Sequence, residues 1–143
     1  MTARVVGYWI VTGLSALAFA FGGSADLGHS PELMGAMAHL GYPVYLATLL
    51  GFWKLSGALA IVWPRTPRLK EWAYAGMFFD LTGAAFSHAS SGDPAGRVLT
   101  PLVLLALVLA SWALRPESRI LGRLLPRSSR GEFTPADLAA AKS

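Results

Sequence analysis

Four apolar runs, each close to twenty residues long, recur through a chain of only 143 residues, at 5–24, 44–63, 72–90 and 98–114. A hydrocarbon core about 30 Å thick takes roughly 20 residues of helix to cross. Residues of the aromatic belt type, Tyr8, Trp9, Trp63, Trp72, Tyr74 and Trp112, lie near the ends of these runs, where an amphipathic ring meets the head groups. The expected fold is an all-α integral membrane protein, an antiparallel bundle of four transmembrane helices. The composition agrees, since 54% of residues are apolar and only 14% charged, which excludes an ordinary water-soluble domain.

Between the runs the punctuation is clear. His29-Ser30-Pro31-Glu32 and Gly41-Tyr42-Pro43 bound the first connection, a long outer loop. Pro64-Arg65-Thr66-Pro67 makes the second a tight turn, with Thr66 placed to cap the next helix and Pro67 at its first position. Gly92-Asp93-Pro94 ends the third helix and turns the chain again. An even number of spans puts Arg4, Arg65, Arg68, Lys70, Arg115, Arg119, Arg123, Arg127 and Arg130 on one side, against Arg97 alone on the other. By the positive-inside rule both termini are cytoplasmic. The net charge of +4 is thus a topology signal, and no nucleic-acid partner is expected; the bilayer is. A rival reading makes the first run a cleaved signal peptide, but the run is long for that role and its loss would expose a polar seam.

Residues 1–116 form the transmembrane domain on this reading, and 117–143 a basic, largely disordered cytoplasmic tail. Within the tail, residues 119–125 alternate basic and apolar side chains at helical spacing and can lie on an anionic leaflet. The remainder, 128–143, is expected to be disordered apart from a short helix begun by Thr134-Pro135, and a solvated positive-inside tail is the plainer alternative to leaflet contact.

Two ionisable residues interrupt the apolar runs near their centres, Lys54 in the second and Asp80 in the third. A charge at that depth costs at least ~2.5 kcal/mol, so an unpaired one is disfavoured. The two runs are joined by a short turn and must be antiparallel, so Lys54 and Asp80 reach similar depth and are expected to pair. Their helix faces carry small residues, Gly51, Gly57 and Ala58 on one and Gly76, Gly83 and Ala84 on the other, which permits close approach. The pair either fixes helix register or serves a ligand or proton. Asp26 and His88, toward the outer side, are expected to line one pocket with it, from the outer surface to the membrane centre. His29 and His39 lack metal-ligand spacing with these residues, and no metal site is assigned. Cysteine is absent, which removes disulfides, thiolate metal sites and Cys-based redox relay. No phosphate loop, nucleophile elbow, H-E-x-x-H or dinucleotide fingerprint is present.

Several strings carry a resemblance: Leu40-Gly41-Tyr42-Pro43, Trp53-Lys54-Leu55-Ser56-Gly57-Ala58, Pro67-Arg68-Leu69-Lys70-Glu71-Trp72-Ala73-Tyr74-Ala75-Gly76, Phe79-Asp80-Leu81-Thr82-Gly83-Ala84, Ser87-His88 and Gly92-Asp93-Pro94. Together they resemble the DoxX-like family of small four-helix bacterial membrane proteins, over most of the chain up to about Pro116. The resemblance places Lys54, Asp80 and His88 inside matching strings, and Asp26 where members carry an acidic residue. Other branches of the family place a Lys near the end of the first helix, which this chain lacks. What it implies is a bacterial cytoplasmic-membrane protein with links to quinone-dependent electron transfer, to oxidative-stress complexes and to assembly chaperones. Activity and enzyme status stay open, because fold does not fix function. The leading expectation is a membrane subunit of a quinone-linked oxidoreductase system, with Lys54, Asp80, His88 and Asp26 as ligand-binding or proton-relay residues. The alternatives are a non-enzymatic assembly or interaction protein and a small proton-coupled transport component. Expected partners are a homo-oligomer or an oxidoreductase subunit.

Overall fold

The computed structural model describes residues 2–116 and residue 119, and those residues contain five α-helices and no strand. They are α1 (Ala3–Leu27), α2 (Pro31–His39), α3 (Val44–Val62), α4 (Pro67–Ser90) and α5 (Ala95–Ala113). Three of them, α1, α3 and α5, are long and apolar enough to cross a membrane. The chain is an all-α membrane protein.

The helix boundaries follow local chemistry. Pro31 and Pro67 stand at helix starts, where a missing N–H costs nothing. Gly92 takes a left-handed conformation (φ 70°) just past the end of α4, which an L side chain adopts only with strain. The expected Thr66 cap does not form: its hydroxyl is buried without a hydrogen-bond partner, and Pro67 alone marks the start of α4.

The first connection differs from expectation. It is not an irregular loop, because residues 31–39 form the short helix α2. Nine residues at ~1.5 Å each reach less than half of a bilayer core, so α2 is an addition to the long helices. The long helices also overrun the apolar runs. α1 continues through Asp26 to Leu27, α4 begins five residues earlier than 72, and α5 begins at Ala95 rather than 98. The extra stretches carry the charges Asp26, Arg68, Lys70, Glu71 and Arg97, so a hydropathy boundary falls short of the helix boundary. The readings made for the tail, apart from residue 119, lie outside the described residues.

α1 packs on α3, α3 on α4, α4 on α5 and α5 on α1, which closes a ring of contacts. Phe19, Ile61, Tyr74, Met77, Leu81 and Val108 fill its centre from all four helices. Large apolar side chains face outward around the ring, among them Leu17, Phe21, Tyr45, Trp53, Trp72 and Phe79. Lipid tails are as apolar as these residues, so close packing and interhelical hydrogen bonds hold the helices together.

Candidate functional site

α1 and α3 cross where two glycines meet. A Cβ on Gly51 would sit 2.8 Å from the Gly23 carbonyl oxygen and 2.9 Å from Cβ of Asp26, while one on Gly23 would sit 3.0 Å from Cβ of Lys54. Only glycine at both positions permits that approach. Asp26 lies three residues after Gly23 and Lys54 three residues after Gly51, so the crossing sets the two side chains against each other.

The result alters the expected pairing. Lys54 Nζ lies 2.9 Å from Asp26 Oδ2 and 3.9 Å from Asp80 Oδ1. The Lys54–Asp80 contact exists, but at the outer limit of an ion pair, and Asp26 is the closer partner. The physical reason is that α3 approaches α1 through paired glycines, whereas its seam with α4 stays wider. Asp26 is nearly enclosed, with 3% of its side chain exposed, against 17% for Asp80 and 21% for Lys54. Among the described residues Asp26 Oδ2 has no hydrogen-bond-aligned neighbour, so it depends on the charge of Lys54.

A cavity of about 520 Å³ lies in the α3–α4 seam. Lys54 and Asp80 supply its ionisable groups, and its apolar wall includes Trp53, Trp72, Phe79 and Met77. Trp53, Trp72 and Phe79 are also among the exposed aromatic residues of the ring's outer face. An ammonium donor and a carboxyl group side by side on an apolar wall can bind both hydrogen-bonding ends of a small polar group.

The expected single pocket, reaching from the outer surface past His88 and Asp26 to Lys54 and Asp80, is divided. His88 lines a different cavity of about 690 Å³, with Glu32, His39, Leu81, Arg97 and Pro101, and the two cavities share no lining residue. Asp26 lines neither, being held in the α1–α3 seam. At the α4–α5 turn His88 Nδ1 lies 2.6 Å from Asp93 Oδ2, His39 Nε2 lies 2.9 Å from Asp93 Oδ1, and Arg97 donates to the same oxygen at 3.3 Å. The His88 hydrogen bond, helped by His39 and Arg97, holds the Asp93 carboxyl below the usual carboxylate range. This clasp ties α2, α4 and α5 together through a residue that sequence reasoning treated only as part of a helix stop. His29 stands apart, 2.9 Å from the Thr48 hydroxyl. Among the described residues no three His, Cys, Asp or Glu side chains are grouped to hold a metal ion.

Other buried polar groups were not anticipated. The Ser111 hydroxyl lies 2.6 Å from that of Thr12 and 2.7 Å from the Tyr74 hydroxyl, a buried chain joining α5, α1 and α4. Lys70, counted by sequence as a loop charge, is fully buried. It donates to the carbonyls of Ala60 at 2.8 Å and Ile61 at 2.7 Å, and to that of Trp63, satisfying the open end of α3. Arg115 pairs with Glu71 at 2.7 Å, and Arg4 reaches the carbonyls that end α5. The N-terminus of α1, the C-termini of α3 and α5 and the N-terminus of α4 therefore share one end, and it is the basic one.

A family model described as the DoxX-like family matches residues 10–111. The chain belongs to the DoxX-like family. No curated protein and no solved structure matches it. In this DoxX-like protein Asp26, Lys54, Asp80, His88, Asp93 and the Thr12–Ser111–Tyr74 chain all fall within the matched stretch, while Arg4, Arg115 and Arg119 fall outside it. Lipid contact and more than one membrane crossing follow from the family and its apolar helices.

Proposed function

We propose that this DoxX-like protein crosses the bacterial cytoplasmic membrane four times with both termini inside. In this reading its α3–α4 cavity binds a small amphipathic molecule of the quinone class, and the chain serves as a membrane subunit of an oxidoreductase system. The topology is supported by α4, whose 24 residues span about 36 Å, and by the gathering of Arg4, Arg65, Arg68, Lys70 and Arg115 toward one end of the helix ring. α4 then carries Asp80 into the bilayer within reach of Lys54, and Arg68, Lys70 and Glu71 stay at the interface.

One observation carries the ligand reading: Lys54 and Asp80 stand together on the wall of an otherwise apolar, aromatic cavity. A quinone carbonyl needs a hydrogen-bond donor, and the hydroxyl of its reduced form needs an acceptor. The Lys54 ammonium supplies the first and the Asp80 carboxyl the second. Trp53 and Trp72 offer flat faces for a ring, and the exposed aromatic edge of the seam opens toward lipid, where an apolar tail belongs. The chain has no cysteine, so the electrons would pass between the bound molecule and a partner subunit.

The test is to purify the protein without adding quinone, extract it with organic solvent and analyse the extract by mass, then titrate a short-chain quinone while following the melting temperature. A co-purifying quinone, or a rise in melting temperature that disappears in Lys54→Met and Asp80→Leu variants, supports the reading. No quinone and no shift in folded protein would sink it. A stoichiometric protein partner retained by the double Lys54→Met, Asp80→Leu variant would favour an assembly role instead.

A further inference from the structure

Three ionisable groups meet at the α1–α3–α4 junction, and their charges do not balance. Asp26 from α1 and Asp80 from α4 share the single amine of Lys54 from α3. The other charged side chains and histidines of the four long helices lie toward their ends, Arg4, Arg68, Lys70 and Glu71 at one and His88 and Arg97 at the other, so α5 brings no ionisable group to this level. With all three groups ionised, the junction would hold one uncompensated negative charge among apolar side chains. Such a charge is strongly disfavoured there, and a neighbouring carboxylate raises the cost of ionising the second.

The geometry distinguishes the two acids. Asp26 is nearly enclosed and in ion-pair contact with Lys54 at 2.9 Å, its backbone fixed by the Gly23–Gly51 crossing. Asp80 stands 3.9 Å from the amine, is more exposed and faces the cavity. We infer that Asp26 and Lys54 form a permanent ion pair and that Asp80 is a proton-binding site, holding its carboxyl proton at neutral pH and presenting it to the α3–α4 cavity. Asp26 is then a positioning residue: it holds the Lys54 amine at 2.9 Å and leaves Asp80 without a full partner. The inference concerns the charge state of the junction and does not rest on the identity of any ligand. A bound polar molecule would meet a fixed cation and a carboxylic acid able to give up a proton or recover one.

Infrared spectroscopy of the whole protein in lipid nanodiscs at pH 7 reads this directly, because a carboxylic acid has a C=O stretch that a carboxylate lacks. The wild type should show one such band, shifted by deuteration. Asp80→Asn should lose it. Lys54→Met removes the only cation and should about double its intensity. Asp26→Asn should abolish it too, since Asp80 then becomes the sole counter-ion of Lys54. The proton's owner is identified by Asp80→Glu, which should move the band, against Asp26→Glu, which should leave it in place. Should Asp26→Glu fail to fold in the tight α1–α3 seam, Asp80→Glu decides alone: a wild-type band that does not move overturns the assignment. Absence of the band from folded wild type, together with a melting temperature that rises with sodium, would assign the surplus charge to a metal cation and overturn it as well.

Discussion

The two seams that flank α3 are built from similar residues and come out differently. Against α1, Gly51 meets Gly23 so closely that neither could carry a Cβ without displacing its neighbour. Against α4, Gly76 and Gly83 have nothing within 4 Å of where a Cβ would sit, and a cavity of about 520 Å³ occupies the seam. A small residue brings helices together only when it faces another small residue across the interface. Where it stands beside Trp53, Trp72 and Phe79, which reach outward, it leaves space. Lys54 lies between the two regimes, gripped on one side and open on the other.

Breaking the tight seam should have the largest effect. Gly51→Val would place its branched carbon against the Gly23 carbonyl, Leu27 and Asp26, with no flexible group positioned to yield on the backbone side. Overpacking of this kind costs about 1–3 kcal/mol, and the upper end is expected here because two backbones are in contact. Thermal unfolding in detergent measures it. A Gly51→Val protein that melts with the wild type would show that the crossing is looser than described.

The next effect compares the two acids. Asp26→Asn withdraws the close counter-ion of an interior lysine and should cost about 2 kcal/mol, within the range for an uncompensated buried polar group. The loss is tempered because Asp80 can take over the pairing from 3.9 Å. Asp80→Asn should cost less than about 1 kcal/mol, since it exchanges a distant partner for a neutral group of the same shape. Equal destabilisation by the two variants would erase the distinction between the seams.

How far the sequence reveals these arrangements depends on whether the signal is local. The long helices, the short α3–α4 turn and the basic end are legible because span length, Pro and Gly placement and Arg distribution act along the chain. Lys54 and Asp80 are legible as partners because charges in apolar runs are few. The dominance of Asp26 is not, since it depends on which pairs of glycines face each other across two helices. Likewise Lys70 reads as a loop charge, and only the fold shows that the open carbonyls of α3 fall within reach of its amine. Tyr74 reads as a belt aromatic until Ser111 and Thr12 are placed around its hydroxyl. His88 sits on the same helix as Asp80, yet α4 presents the two residues to different cavities.

That hydroxyl chain is buried inside the ring where α1, α4 and α5 meet, and none of its three members lines the cavity of the α3–α4 seam. Ser111→Ala removes the central member and leaves the Thr12 and Tyr74 hydroxyls buried without it, at an expected cost of about 1.5 kcal/mol. Ser111→Cys should recover only part of that, because a thiol is a weak donor and acceptor. Full stability in Ser111→Ala would mean that the neighbouring hydroxyls find other partners.

The open seam should respond with the opposite sign. Gly76→Ala adds a methyl group where nothing lies within 4 Å and replaces a helix-interior glycine, which should stabilise the protein by roughly 0.5–1 kcal/mol. Because Gly76 lines the cavity, the same change should weaken any quinone-induced shift in melting temperature. A destabilised Gly76→Ala protein would mean that the seam closes further than it does here.

The smallest effect separates an ion pair in water from one in the membrane. Asp93 is held below its ordinary value of 3.8 by His88, His39 and Arg97, so its contribution to stability is present above that pH and is lost as pH falls through the lowered value. The clasp lies at an exposed end, with the Arg97 side chain 60% exposed, and salt should weaken it further. Melting temperature followed across that acid range should decline in wild type and change less in Asp93→Asn. The Asp26–Lys54 pair, nearly enclosed between α1 and α3, should show almost no salt dependence at neutral pH, because mobile ions cannot enter the seam. A salt-sensitive loss in Asp26→Asn equal to that in Asp93→Asn would place the two networks in the same dielectric surroundings, and the contrast between the seams of α3 would then rest on glycine packing alone.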